Sequence, residues 1–460
     1  MGTKQGKQEQ VGSQRHLIGP KHIVIVGASF AGLFLAKKLI KLHSKTPLQI
    51  TFLDKNSYFE LITSLPGALL SPEHASRIIL PYSQIMAQLN SRSPHVSVQF
   101  IQGMLTRVTA GGSDTIEYSI ENGQVRHLRY DYLVLATGSM YSQPIKHYYA
   151  FSQDVRLEGL KVKRESIKGK SVLVVGGGSN GVEIASEMAE GGGCRKVGLA
   201  TRGNMLLGGL PERCHLAADR WMRENGVEVH YNTTYQEDTK DTLGYDEVID
   251  CTGFKYTSSG GPSSYLQGDL SSCLSPQTGQ ILVNSYLQLT TPSHSYSNIF
   301  SLGDVCLTPS NEEKAIVPIH ILSSFLSANL HSLITNSGSN LQPIPEAIPR
   351  VYMINFGTRG AGVVVFNEFV MEGMERVPVL RHVVSVKKFK RMIDWLNLGE
   401  LQGHQCERCI MGAQYTGMDA AFCLFRQKCM KCLPCHVDRV DRRKSVKDAI
   451  KRVKKYDTLQ

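Results

Sequence analysis

The sequence predicts an α/β chain in which one strand–loop–helix unit is inserted inside another. Three observations predict this. Two glycine-rich loops, Gly27-Ala28-Ser29-Phe30-Ala31-Gly32 and Gly176-Gly177-Gly178-Ser179-Asn180-Gly181, each follow an apolar run, 22–26 and 171–175. Each loop leads into a helical pattern and then a second apolar run, 49–53 and 196–200, which is the layout of a βαβ unit with a buried parallel sheet. Each unit closes with a strand that ends in small residues, Tyr130 to Gly138 for the first and Glu247 to Gly253 for the second. The strand pattern of the first resumes at Asn298 to Asp304.

In the first unit, Gly27 permits the tight turn out of the strand and Gly32 lets the helix, expected over about 33–42, pack close to it. Ser29 stands where the fingerprint has its middle glycine, so backbone approach to a pyrophosphate is a little less free. The helix N-terminus still offers N–H groups and partial positive charge to an anion. Asp54 lies about 22 residues beyond Gly32, the spacing of a carboxylate that binds ribose hydroxyls. The alternative is a solvated acid at a strand end. Thr137-Gly138 and Gly303-Asp304 end two further strands and read as turns against the same nucleotide or as plain turns.

The second unit carries the full pattern at Gly176, Gly178 and Gly181. Glu183 reads either as a helix-capping carboxylate or as a group near the nicotinamide–flavin contact. After the strand 196–200 comes Thr201-Arg202, with no acid for a ribose 2′-hydroxyl. A cation at Arg202 accommodates a 2′-phosphate, which favours NADPH or use of both coenzymes; an exposed loop arginine is the plainer reading. Gly253 closes this unit as the counterpart of Gly138. Two nucleotide loops in one chain most simply mean electrons passing from a nicotinamide to a flavin.

Size and composition agree. The 460 residues suggest two to four domains, and 42% hydrophobic content is ample for large cores. No uninterrupted apolar run approaches the length of a spanning helix, and the first twenty residues show neither a secretory nor a mitochondrial leader pattern. The net charge is +11, of which residues 439–460, with nine Lys or Arg against three Asp, supply more than half. The body is therefore only mildly basic, which argues against nucleic acid as a partner. Of eleven cysteines, five are scattered, as in a reduced intracellular protein, and six lie between Cys406 and Cys435.

These motifs in this order resemble the two-dinucleotide-binding flavoproteins, the pyridine nucleotide-disulfide oxidoreductase superfamily, over about residues 20–395. Within it the chain is similar to the ferroptosis-suppressor group, also called apoptosis-inducing-factor-homologous mitochondrion-associated-2 proteins. The stretches 54–59, 176–183, 251–255 and 357–362 carry that likeness. The resemblance implies two Rossmann-like dinucleotide-binding domains, the second inserted in the first, plus a C-terminal α+β domain. It implies FAD on the first loop, with Asp304 on the ribityl chain, and NAD(P)H on the second. Hydride would pass to the flavin and then to a quinone or similar hydrophobic acceptor. Lys314 would lie near flavin and nicotinamide, although an exposed loop lysine fits its sequence nearly as well. No cysteine precedes Cys194, so the dithiol exchange of the disulfide reductases is excluded, and the glutamine pair of type II NADH dehydrogenases is absent after Gly303-Asp304. His320 is a candidate quinone protonator or a core histidine. Oxygen or a protein as acceptor, and a non-catalytic nucleotide-sensing scaffold, are the rival functions.

The expected domains are an N-terminal arm (1–19), an FAD-binding domain (20–145 and 265–345), an NAD(P)-binding domain (146–264), an acceptor-site domain (346–400), a Cys-rich segment (401–438) and a basic tail (439–460). Cys406, Cys409, Cys429 and Cys432 have the spacing of a four-thiolate zinc site. An iron–sulfur cluster and reduced, metal-free cysteines, with or without acylation, are the other readings. The stretch 387–396 mixes bases with apolar residues and could rest on a membrane surface or pack ordinarily. The related group is N-myristoylated, which makes Gly2 a lipidation candidate, although position 6 is Gly rather than Ser or Thr. The expected location is intracellular, at the cytoplasmic face of membranes or lipid droplets, with the mitochondrion as alternative; the oligomeric state is open.

Overall fold

The computed structural model describes residues 19–373, apart from residues 148, 192, 237, 256–260, 338–339 and 358–360. Gly2, the stretch 387–396, the four cysteines Cys406, Cys409, Cys429 and Cys432, and the basic tail lie outside the described residues.

The first stretch of chain forms β1 (Lys21–Val26), α1 (Phe30–Leu42), β2 (Leu48–Asp54), β3 (Val96–Gln102) and β4 (Tyr132–Leu135). Next come α2 (Gln153–Ile167), β5 (Ser171–Val175), α3 (Ser179–Gly191), β6 (Lys196–Ala200), α4 (Glu212–Glu224), β7 (Glu228–His230) and β8 (Glu247–Asp250). The chain then returns through β9 (Gln288–Thr290), β10 (Ser295–Ser301) and α5 (Ile316–Thr335). It ends in β11 (Val351–Phe356), β12 (Ala361–Phe366) and β13 (Phe369–Gly373).

Two parallel sheets result. The first has the order β9-β10-β4-β1-β2-β3, with only β9 antiparallel; the second has the order β7-β6-β5-β8, parallel throughout. The strands of the second sheet fall in the chain between β4 and β9 of the first, so the second unit is inserted in the first. In both sheets the first strand of the unit is central, with the second on one side and the closing strand on the other. That reversal opens a crevice at the carboxyl end of the central strand, where open α/β sheets hold ligands. A separate antiparallel meander, β11-β12-β13, makes the described portion of the C-terminal part; the rest of the expected α+β domain lies outside the described residues. The meander packs on α3 and α4 of the inserted unit.

The buried strands explain the continuous apolar runs. Ile23, Val24 and Ile25 are fully buried, and each such side chain contributes roughly 1.5–3 kcal/mol. α1 is covered on two sides, by the sheet and by α5, so nine of its residues are buried and its pattern is apolar almost all round. α5 is twenty residues long and passes a length-and-hydropathy test for crossing a membrane. Here it lies along α1, with Leu322, Leu326 and Leu330 buried beside Ser323, Ser327 and Asn329, which is the pattern of a core helix.

The crossing into the inserted unit is fastened by Arg156 of α2, which is 1% exposed. Its guanidinium forks onto Glu60 (2.8–3.1 Å) and donates to the carbonyls of Pro144 and Ile145 at 3.0 and 3.1 Å. Tyr58 adds a bond from its hydroxyl to the Ala150 carbonyl at 2.9 Å. Arg156→Met strands the Glu60 carboxylate in a largely dry place, which costs about 3–5 kcal/mol. A clear fall in the thermal unfolding midpoint is expected, and Glu60→Gln should fall less. An unchanged midpoint for Arg156→Met would reject this fastening.

Candidate active site

The first crevice is built by absent side chains. Gly27 turns with φ of 103°, a conformation glycine adopts freely, and a Cβ there would run into the Ala136 carbonyl at the end of β4. A Cβ on Gly32 would run into the Gly27 carbonyl. Ser29 is the exposed N-cap of α1 and its side chain makes no cap bond, so the first-turn N–H groups have no side-chain partner there. The Asp54 carboxylate accepts from the N–H groups of Ala28 (2.8 Å) and Asn56 (2.9 Å). Burial raises its pKa, opposed by those two bonds and by Lys55 and Lys146.

The ends of β4 and β10 complete this crevice. Gly303 has φ of 90°, and a Cβ there would stand 3.1 Å from the Ala31 side chain. That close approach brings Asp304 up to the start of α1. The Ser139 hydroxyl donates to Asp304 at 2.8 Å, and Thr137 pairs with the Tyr265 hydroxyl at 2.8 Å. Gly138 turns with φ of 74°. The structure thus brings Gly27, Ser29, Gly32, Asp54, Thr137, Gly138, Gly303 and Asp304 to one crevice. It adds Ser139, Tyr265 and Lys146, for which the sequence carried no spacing signal. The glycine cradle, the uncapped helix start and the acids Asp54 and Asp304 fit a dinucleotide of the flavin type.

The second crevice repeats the construction. Gly176 turns with φ of 118° and a Cβ would meet the Cys251 carbonyl at the end of β8; one on Gly181 would meet the Gly176 carbonyl. Gly178 has open space where its side chain would be, as does Gly253, whose φ is 114°. Gly177 was not singled out by spacing, yet its Cβ would come 2.6 Å from the Thr201 hydroxyl. Thr201 is buried at the end of β6 and Arg202 beside it is exposed. Cys251 is buried, and burial pushes its thiol far above the ordinary range, which leaves it an inert packing group.

α3 joins the parts. It begins at Ser179, earlier than the first turn expected around Val182, so Glu183 sits a turn inside the helix. Its carboxylate accepts from the Asn355 backbone N–H of β11 at 3.0 Å and does not cap its own helix. Ser186 donates to the Glu183 carbonyl at 2.9 Å and has the Asn355 carbonyl 3.5 Å away. One turn on, Glu187 is 5% exposed, and its carboxylate would be 3.4 Å from a Cβ on Gly67 in the first domain. Burial pushes both Glu183 and Glu187 up to about 8. Glu187 and Asn355 were invisible in the sequence, because only the folded seam brings them to Glu183.

Lys314 lies in a half-buried loop, its ammonium 2.6 Å from Glu312, which also accepts from Thr308 and Ser310. In the chain this loop lies between Cys306, whose thiol donates to the Gly303 carbonyl at 3.2 Å, and α5. His320 points instead into the seam of α1 and α5, 3.1 Å from Lys38 and edge-on to Phe34. Among the described residues, no group of three or more His, Cys, Asp and Glu side chains is placed to hold a metal ion.

Residues 21–320 match the pyridine nucleotide-disulphide oxidoreductase family. The chain belongs to this family. Its members are NAD(P)H-dependent flavin oxidoreductases. The chain is 25% identical to the oxidoreductase ptaL of Pestalotiopsis fici, over 81% of this chain and 99% of that one. It is also 25% identical to ferroptosis suppressor protein 1 of Xenopus tropicalis, over 75% and 86% respectively. Among solved structures, the sulfide:quinone oxidoreductase of Aquifex aeolicus superposes with a TM-score of 0.63 at 17% identity, over 85% of this chain and 95% of that one. NDH2 of Plasmodium falciparum, solved in complex with NADH, superposes with a TM-score of 0.61 at 14% identity, over 88% and 98%. These two likenesses show the fold.

The glutamates on α3 give a pH dependence. A carboxyl whose folded value is raised contributes stability fully present below its unfolded value, near 4.5, and lost as pH rises toward about 8. Thermal midpoints of the wild-type chain should therefore fall from pH 5 to 8, and Glu187→Gln should flatten part of that fall. Parallel profiles for the two proteins would show that Glu187 does not titrate in this window.

Proposed function

We propose that this chain is an FAD-dependent NAD(P)H:quinone oxidoreductase, with NADPH the preferred donor. The observation that carries the reading is the duplicated crevice. Two cradles of the same build, one per sheet, are tied by α3, which packs on both the first domain and β11. In a flavin oxidoreductase family this arrangement supports a nicotinamide on the second cradle reaching a flavin on the first.

Bound FAD would supply the hydride acceptor and pass the reducing equivalents to the quinone. The chain's residues orient and exclude water. The first-turn N–H groups of α1 and Asp54 would hold the pyrophosphate and ribose of FAD, and Asp304, steadied by Ser139, its ribityl chain. Gly176, Gly178 and Gly181 would let the NAD(P)H pyrophosphate approach the start of α3. Rings must come within about 3–3.5 Å for transfer, and the seam formed by Glu183 and Asn355 would fix the depth of the nicotinamide. Lys314 is proposed to act near the flavin as a positioning cation.

Three features support the finer parts. Thr201 and Arg202 leave no carboxylate to repel a 2′-phosphate. The solved structures of similar fold include a sulfide:quinone oxidoreductase, which supports a quinone-like acceptor. Basic segments beyond residue 380 and the candidate Gly2 acylation support work at a cytoplasmic membrane surface. Zinc on Cys406, Cys409, Cys429 and Cys432 is proposed from spacing alone, and metal analysis of the purified chain reads it out.

The purified full chain should be yellow and should oxidise NADPH with a soluble quinone; a chain that neither retains nor binds flavin overturns the reading. Arg202→Ala should raise KM for NADPH about tenfold or more, the loss of one charge-assisted bond, with little change for NADH. Equal effects on both coenzymes would reject the 2′-phosphate role.

A further inference from the structure

Lys146 follows the turn that ends β4, and no spacing rule marks it. Its ammonium donates to the Ser139 carbonyl at 2.7 Å and lies 5.3 Å from the centroid of the Tyr141 ring. A Cβ on Gly138 would be 3.9 Å from Nζ. The same Ser139 gives its hydroxyl to Asp304. The ammonium therefore sits over the 138–141 turn, at the first crevice.

Three carboxylates surround it at longer range, Asp304, Glu60 and Asp54, and they oppose the lowering of its pKa by burial. Among the described residues none of them reaches ion-pair distance, and the Ser139 carbonyl is its hydrogen-bond acceptor. An ammonium has three donors, and Lys146 is half-buried, so the donors not used by Ser139 can reach a ligand in the crevice. The electrostatics of the crevice give the lysine a purpose. Asp54 and Asp304 flank the place where a dinucleotide would add the negative charge of its pyrophosphate, so binding needs a cation between them.

We propose that Lys146 is a binding residue for the flavin dinucleotide, its Nζ donating to the phosphate–ribityl segment that runs from Asp54 to Asp304. The proposal rests on the FAD reading above and adds a cation at the phosphate–ribityl segment. The residue serves affinity for the cofactor, and the Ser139 contact aims its ammonium.

The test is titration of FAD into the flavin-stripped full chain by calorimetry, for wild type, Lys146→Met and Lys146→Arg. Lys146→Met should bind FAD about 10- to 100-fold more weakly, the loss of one charge-assisted hydrogen bond. Lys146→Arg should recover most of the affinity, and the thermal midpoints of the flavin-free proteins should agree. Lys146→Met binding FAD as tightly as wild type overturns the proposal. So does an equal loss in both variants together with lowered flavin-free midpoints, because that marks a structural lysine. A second measurement needs no variant: FAD should shield Lys146 from acetylation, read by mass spectrometry, and equal labelling with and without FAD overturns the proposal. Failure of wild type to bind FAD would instead sink the FAD reading itself.

Discussion

The site depends on one contact made twice: a glycine with no side chain pressed against a neighbouring strand's carbonyl. Gly27 meets Ala136, and Gly176 meets Cys251. In each case the loop leaves the central strand, and the closing strand ends at the same level. Only a residue without Cβ and free to take positive φ fits both demands. The second glycine of each pair, Gly32 or Gly181, sits on the carbonyl of the first, which draws the helix start into the crevice. The helix start then borders the space above the sheet, a geometry suited to an anion.

The second constraint is the seam between parts. α3 starts at the second glycine loop, where the proposed NAD(P)H pyrophosphate would rest, and then hands Glu183 to β11 and Glu187 to the first domain. One helix thereby couples the coenzyme cradle to the surfaces that would enclose a flavin. Burying two carboxyls along it is expensive when they are charged, so the seam is most stable with them protonated. Arg156 and Glu60 fasten the crossing between domains from the other side.

Much of this was legible in the sequence, for physical reasons. Parallel strands buried on both faces must be continuous apolar runs, so 22–26 and 171–175 declared themselves. Positive-φ turns demand glycine, so Gly27, Gly176, Gly253 and Gly303 were visible. What stayed hidden depends on contacts between distant segments. Lys146 is one lysine in a polar loop; its ammonium rests on the Ser139 carbonyl, but only the folded sheet brings Asp304 to the same Ser139. Glu183 was legible as a residue and its partner was not, because Asn355 arrives from a separate sheet. Helix starts were also misjudged: α1 begins at Phe30 and α3 at Ser179, since loop residues of the fingerprint already have helical geometry.

The central claim is that the two crevices work as one path, carrying hydride from a nicotinamide on the second to a flavin on the first. The most direct measurement is anaerobic mixing of the flavin-loaded full chain with NADPH, following the visible flavin absorbance, with Gly181→Val as the blocked second cradle. Rapid bleaching in the wild type, lost in Gly181→Val while flavin stays bound, is the predicted result. A wild-type flavin that stays oxidised under NADPH and NADH alike would contradict the account.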